Sequence, residues 1–267
     1  MNIEEIISSY LQSDELKSPH LSALTFQLLE YWATTQDFEI DNKLLRDLVF
    51  KYAASEKKLK ELNKDLIWKQ ARLEEDLAAA ADIQRSLLPR KINAIDRLAV
   101  AWKFKPCEKI GGDIFNMAQL DEDHWGIYML DVSGHGVPAA MVAVSVFQNL
   151  HPQAGRILMR SADSQTARTM RSPAKVLEKL DLEYTFDRFN NFFTINYVIL
   201  DAATGNFICS SAGHPPPIII RQSGSIDLMT SGSPPIGTRD LRLVEESVTF
   251  PEEKMKLNPG DKLVLYT

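Results

Sequence analysis

The sequence predicts an α+β domain of antiparallel sheets flanked by helices, preceded by an all-helical segment. Apolar and polar residues alternate with period two in residues 98–104, 125–130 and 192–200, as in strands with one buried face. Upstream of Pro89, apolar residues recur every three or four positions, as in amphipathic helices. Strands interrupted by two helices and then joined by tight turns indicate a layered α+β arrangement.

The composition is that of an ordinary globular protein with a slightly acidic balance. Of the 267 residues, 45% are hydrophobic and 25% are charged, and the formal net charge is −6. This charge argues against nonspecific nucleic-acid binding, and the longest apolar stretch, residues 137–144, is far shorter than a membrane span. The N-terminus lacks the basic start and apolar core of a signal peptide. We therefore expect a cytoplasmic protein with reduced Cys107 and Cys209 and no nucleic-acid or membrane partner.

Residues 1–47 predict a module of short helices. Apolar spacing indicates one helix before Pro19, a second over residues 21–31 and a third that begins near Leu44, with Asp41 as a candidate cap. Three short helices bury little apolar surface. We expect them to pack on each other or on a second copy.

Residues 48–92 predict a coiled-coil signalling helix that ends at Pro89. Its seam positions alternate by four and three, and nine of the twelve are apolar. They are residues 48, 52, 55, 59, 62, 66, 70, 73, 77, 80, 84 and 87. The step 62–66–70 is a stutter, which locally unwinds a left-handed coiled coil. The pattern favours a parallel homodimer through residues 48–88, and the alternative is a single helix packed against its own domain.

Residues 93–267 predict the α+β domain. One helix begins at Val137 and Pro138, and another begins at Pro173 and runs to about Asp187. Residues 202–205 form a turn between two strands. The segment between Leu150 and Ser172 contains Gly155, Arg156, Arg160, Ser161, Asp163 and Ser164. We interpret it as a polar loop.

Two acidic motifs are candidate metal-binding positions in this domain. Asp113 follows Gly111 and Gly112 where a strand is expected to begin, and Asp131 follows the apolar strand 125–130 within a DVSGHG motif. Glycines let the backbone approach a ligand closely, and two strand-end carboxylates with nearby carbonyls suit Mg²⁺ or Mn²⁺. The alternative is that each aspartate is a turn or cap residue.

Several motifs occur together in a characteristic order. They are residues 81–89 (ADIQRSLLP), 110–115 (IGGDIF), 130–136 (LDVSGHG), 192–194 (FFT), 211–216 (SAGHPP), Gly237 and 259–267 (PGDKLVLYT). This order resembles the sporulation stage II E-type phosphatases over residues 80–267. The resemblance implies a PPM, or type 2C-like, sandwich of two antiparallel sheets flanked by helices, with metals at one end. It also implies hydrolysis of phosphoserine or phosphothreonine on a regulatory protein, typically an anti-sigma-factor antagonist.

The resemblance also implies roles for individual residues. Asp113 and Asp131 match the first two metal-binding aspartates of a site for two Mn²⁺ or Mg²⁺ ions, and Val132 matches a position that supplies a backbone carbonyl. Metal-bound water would attack directly, so no protein nucleophile is needed. We expect structural roles for His135 and His214, which neighbouring glycines and prolines place in turns. The aromatic residues Phe189, Phe192 and Phe193 are expected in the core.

The family pattern continues beyond Leu-Tyr-Thr with Asp-Gly and a later acidic metal-binding position, whereas this sequence stops at Thr267. We therefore expect an incomplete domain with little phosphatase activity by itself. The alternative function is a non-catalytic coiled-coil dimer whose degenerate phosphatase domain binds a regulatory partner. A diguanylate cyclase is disfavoured because Ile114 replaces a carboxylate in GGDIF and too few residues separate Pro89 from Gly111.

Overall fold

The computed structural model describes residues 42–89, 98–106, 109–152, 157–161, 168–241 and 248–267. The chain divides into two compact units between Lys69 and Gln70. The helices predicted before residue 42, and Cys107, lie outside the described residues. Within these ranges, no helix is both long enough and apolar enough to cross a membrane.

A continuous helix, α1 (Asn42–Leu87), confirms the helix predicted for residues 48–88. It begins two residues before Leu44 and ends two residues before Pro89. Its 46 residues include no glycine or proline and are rich in leucine, lysine, glutamate and alanine, which are strong helix formers. The helix therefore runs without interruption across the predicted boundary between residues 47 and 48.

Antiparallel sheets form the body of the domain, as predicted. The strands of the main sheet are β1 (Ile114–Gln119), β2 (His124–Val132), β5 (Phe193–Asp201), β6 (Asn206–Ala212) and β9 (Glu253–Lys256). The other strands are β3 (Met159–Ser161), β4 (Arg168–Met170), β7 (Ile218–Ile220), β8 (Ile226–Leu228) and β10 (Lys262–Val264). The main sheet has the order β1–β2–β5–β6–β9, a second sheet has the order β10–β7–β8, and β3 pairs with β4. The predicted turn at residues 202–205 joins β5 to β6.

Both faces of the main sheet are buried. Helices α2 (Gly136–Asn149) and α3 (Pro173–Glu183) pack on one face, where they share a core with Tyr197 of β5. On the other face, Val198 of β5 shares a second core with Ile219 of β7. Adjacent residues of one strand thus enter different cores, because side chains alternate across a strand. The result is the sandwich of two antiparallel sheets flanked by helices that the resemblance implied.

The strand predicted for residues 98–104 is not formed. Leu98 makes an isolated bridge, and residues 99–104 belong to no strand. Two aromatic side chains explain the apolar alternation, because the rings of Trp102 and Phe104 lie 5.2 and 6.4 Å from the ring of Phe115 in β1. The segment thus contacts the sheet through packing of aromatic rings, which does not require the backbone hydrogen bonds of paired strands.

The segment between Leu150 and Ser172 is more ordered than the predicted polar loop. Ile157 and Leu158 are buried in the core, and the hairpin β3–β4 includes Arg160 and Ser161. The loop interpretation is therefore wrong for these residues. The remaining residues named in that interpretation, Gly155, Arg156, Asp163 and Ser164, lie outside the described residues.

Helix α3 ends at Glu183, four residues before the predicted end at Asp187. Tyr184 follows it, and its ring stacks on Phe189 at 5.0 Å and meets the edge of Phe193 at 5.6 Å. This aromatic cluster draws the chain into the core before the short helix α4 (Phe186–Phe189) begins. Phe193 is buried and Phe189 packs against the core, which confirms their predicted role, while Phe192 is partly buried.

Candidate metal centre

The pairing of β1 with β2 brings the two acidic motifs together. The last pair of the ladder is Ile114 with Leu130. One further step in the same register places Asp113 opposite Asp131, and the next places Gly112 opposite Val132. Residues directly opposite each other on antiparallel strands have Cβ atoms roughly 5 Å apart on one face of the sheet. The predicted convergence of the two aspartates therefore follows from the strand register.

The electrostatics of this pair fit a cation. Partial burial raises the pKa of Asp113 to about 6, helped by the negative charge of Asp131 and a hydrogen bond between the two side chains. The Thr267 hydroxyl, 3.4 Å from Asp113 Oδ1, donates a hydrogen bond that acts in the opposite direction. Opposed like charges destabilise a strand pair. A divalent cation between the carboxylates would relieve that repulsion, and its preferred ligands are such oxygens.

Gly112 lets the Asp113 segment lie directly on β2. A Cβ atom at this position would be 2.6 Å from the carbonyl oxygen of Val132 and 3.0 Å from the Val132 Cβ. Both atoms belong to a residue whose side chain is buried in the core. The Val132 carbonyl therefore lies against the loop that carries Asp113, where the resemblance implied a backbone ligand.

The turn after Asp131 is tied to the start of β5. The Ser133 backbone N–H donates to the Phe192 carbonyl at 2.8 Å, and the Phe192 N–H donates to the Ser133 hydroxyl at 3.0 Å. Asn191 adds a bond from its side-chain amide to the Ser133 carbonyl at 2.6 Å. Gly134 then adopts a φ of 88°, which favours glycine. Sequence reasoning missed Asn191, because a polar residue before a strand does not reveal its distant partner.

A second contact that sequence reasoning missed involves helix α1. Gln84 was placed in the coiled-coil seam, yet its side chain is 4% exposed and makes two hydrogen bonds with Gly111. Gly111 lies two residues before Asp113. The available signal was the position of a glutamine among apolar seam residues, where a polar group needs a partner.

The two histidines occupy different surroundings. His135 is exposed at the N-cap position of α2, so its predicted structural role stays a prediction. His214 is buried, and its Nδ1 lies 2.7 Å from the Thr194 hydroxyl. Burial lowers the pKa of His214 to about 4, partly offset by the Tyr266 backbone. A neutral histidine fixed in this way agrees with a structural role.

The number of acidic ligands is small. Among the described ranges, no group of three or more His, Cys, Asp or Glu side chains is arranged to hold a metal ion. The pair Asp113 and Asp131 therefore supplies two carboxylates, and Val132 supplies a carbonyl. Hard cations such as Mg²⁺ take about six oxygen ligands and retain several waters. Two carboxylates and one carbonyl are fewer than that, so a complete coordination shell would need further oxygen ligands.

Comparison with known proteins identifies the family of this domain. The family model described as stage II sporulation protein E matches residues 121–267. The chain belongs to this family. Asp131 and Val132 lie within the matched residues, whereas Asp113 precedes them, so the position of Asp113 at the site rests on the strand register.

Two curated relatives come from Bacillus subtilis (strain 168). Phosphoserine phosphatase RsbP is 29% identical over 198 residues, covering 72% of this chain and 44% of that protein. Phosphoserine phosphatase RsbU is 23% identical over 202 residues, covering 74% of this chain and 54% of that protein. The chain thus spans about half the length of these relatives. The SiaA-PP2C domain of Pseudomonas aeruginosa, 20% identical with a TM-score of 0.54, covers 73% of this chain and 71% of that one and shares the fold.

Proposed function

We propose that the chain is part of a metal-dependent protein serine/threonine phosphatase in bacterial signal transduction. The observation that carries this proposal is the close approach of Asp113 and Asp131 at the paired ends of β1 and β2. Family membership supports it, and so do the names of RsbP and RsbU as phosphoserine phosphatases. The proposed substrate is a phosphorylated regulatory protein of the anti-sigma-factor antagonist type.

The residues of the chain have distinct tasks in this reaction. Asp113, Asp131 and the Val132 carbonyl would hold two Mn²⁺ or Mg²⁺ ions, and Thr267 orients the Asp113 carboxyl. When bound, such ions lower the pKa of water and neutralise charge on a phosphoryl group. Gly112 keeps the carboxylates against β2. His214, whose pKa burial lowers to about 4, holds Thr194 opposite Asp131 and carries no charge at pH 7.

The test is hydrolysis of an aryl phosphate and of a serine-phosphorylated antagonist protein, with Mn²⁺ affinity measured in parallel. Asp131→Asn should weaken Mn²⁺ binding at least ~10–100-fold, because it removes a ligand charge. Asp123→Asn is a matched control, since Asp123 lies in the exposed turn between β1 and β2. Equal Mn²⁺ affinity of Asp131→Asn and the parent would contradict the metal site. Because we expect little turnover from residues 1–267 by themselves, turnover is also measured in a version that continues through the later acidic position of the family pattern. Mn²⁺ binding without turnover in that version would favour the alternative, a non-catalytic domain that binds a regulatory partner.

We also propose that α1 forms a parallel homodimer. Its seam residues Leu59, Leu62, Leu66 and Leu73 are 68%, 52%, 63% and 59% exposed. A row of exposed leucines at four- and three-residue spacing favours pairing with a second helix. Residues 77–88 need a correction, because Leu77, Gln84 and Leu87 pack against the chain's own domain. The proposed dimer contact therefore rests on the seam before Leu77.

A further inference from the structure

The last turns of α1, over residues 70–88, contact the segment that leads to Asp113. Leu77 and Ala81 pack with Ile110 and Ala140 in a small apolar cluster. Lys109 Nζ, near the start of the same segment, donates to a backbone carbonyl of α1 at 3.1 Å. These contacts fix the position of residues 109 and 110 but do not by themselves orient the two glycines that follow.

Gln84 supplies that orientation. Its Nε2 donates to the Gly111 carbonyl at 2.7 Å, and its Oε1 accepts from the Gly111 N–H at 3.3 Å. One carboxamide therefore satisfies both backbone groups of a residue type that has the widest conformational freedom. The Gln84 side chain is buried, so loss of either bond would leave a polar group without a hydrogen-bond partner, because water does not reach it.

Gly112 and Asp113 connect the fixed backbone of Gly111 to the metal-binding pair. Gly112 lies against the backbone of Val132 with no room for a Cβ, and Asp113 follows opposite Asp131. Gln84 thus holds Gly111 and Val132 confines Gly112, and Asp113 follows these two residues directly. A rotation about the Gly111 backbone would carry Asp113 away from its partner.

We propose that Gln84 is a positioning residue for the divalent-cation site: its hydrogen bonds to Gly111 hold Asp113 opposite Asp131. This inference rests on the proposed metal-dependent function. It assigns to α1 a direct part in forming the metal site, distinct from the proposed role of its seam in dimerisation. Outer partners that orient ligands typically contribute ~10–100-fold to metal affinity.

The experiment compares Mn²⁺ affinity, measured by calorimetry on the full chain, in Gln84→Leu and Gln119→Leu. Gln119 is a matched control because it lies outside the seam of α1, at the end of β1 away from Asp113, and donates to the Glu122 carbonyl in an exposed bond at 3.3 Å. We expect Gln84→Leu to weaken Mn²⁺ binding about tenfold or more and Gln119→Leu to leave it unchanged. Thermal unfolding reports stability separately, because a purely structural glutamine would lower the melting temperature without altering Mn²⁺ affinity.

If Gln84→Leu does not fold, a second variant tests the same hydrogen bonds. Gln84→Glu is nearly isosteric and still accepts from the Gly111 N–H, but an ionised carboxylate cannot donate to the Gly111 carbonyl. It should also weaken Mn²⁺ binding. Parental affinity in a folded Gln84 variant, together with weakened binding in Asp131→Asn, would overturn this inference and leave the proposed function intact. Parental affinity in Asp131→Asn as well would refute the metal site itself.

Discussion

Replacing Gly112 by alanine tests the close contact on which the metal-binding pair depends. The new Cβ would lie 2.6 Å from the Val132 carbonyl oxygen, 3.0 Å from the Val132 Cβ and 3.1 Å from the Val132 nitrogen. These atoms cannot swing aside as the end of a long side chain could, because they belong to a paired strand and a buried residue. The two backbones must therefore separate.

The expected cost follows from this overlap. Adding a methyl group to a well-packed interior destabilises a protein by about 1–3 kcal/mol. For a domain of this size, each kcal/mol lowers the melting temperature by about 2–4 °C, so we expect a decrease of roughly 2–12 °C. Gly112 is not among the glycines with positive φ, so the effect is steric and contains no backbone strain. Mn²⁺ affinity should fall as well, because Asp113 moves with the displaced backbone.

Gly111→Ala is the matched control at the neighbouring glycine. Its Cβ would be 3.9 Å from the nearest atom, Cβ of Pro106, which is an ordinary contact. Replacing glycine by alanine where the backbone permits it stabilises a protein by about 0.4–1 kcal/mol. Thermal unfolding by circular dichroism, with and without Mn²⁺, distinguishes the two variants. If Gly112→Ala and Gly111→Ala have the same melting temperature, the tight contact with Val132 is not present in the folded protein.

Three further predictions concern His214, helix α1 and a buried carboxylate. Because burial lowers the pKa of His214 to about 4, the unfolded chain binds an extra proton between pH 6.5 and 4. The free energy of unfolding should fall over that range by about 3 kcal/mol more in the parent than in His214→Asn, and equal pH profiles in chemical denaturation would contradict this. Leu62→Asp should yield a monomer in light scattering whereas Ile67→Asp, exposed but outside the seam, should not; a monomeric parent would refute the dimer. Asp181→Ala should destabilise the domain by about 1–3 kcal/mol in urea unfolding, because Asp181 Oδ1 accepts from the Gly237 N–H at 3.1 Å; an unchanged midpoint would show that this bond contributes nothing.

The sequence by itself determined the class of fold and the acidic pair. Alternation with period two located β2 and β5, and the turn at residues 202–205 located the hairpin between β5 and β6. Asp131 was recognised because it ends an apolar strand, and Asp113 because two glycines precede a second strand. These signals are local: they depend on side-chain alternation and turn chemistry within a few residues of the chain.

Only the tertiary structure decided which distant groups meet. The sequence marks Gln84 as a polar residue among apolar seam positions, but it does not show that the partner of Gln84 is Gly111, 27 positions away. Residues 98–104 alternate like a strand but pack through aromatic rings, since alternation marks apolar positions and not the presence of a pairing strand. The need for glycine at residue 112 arises from Val132 on the neighbouring strand. Periodicity reveals which face of an element is apolar, whereas the register between elements determines what that face contacts.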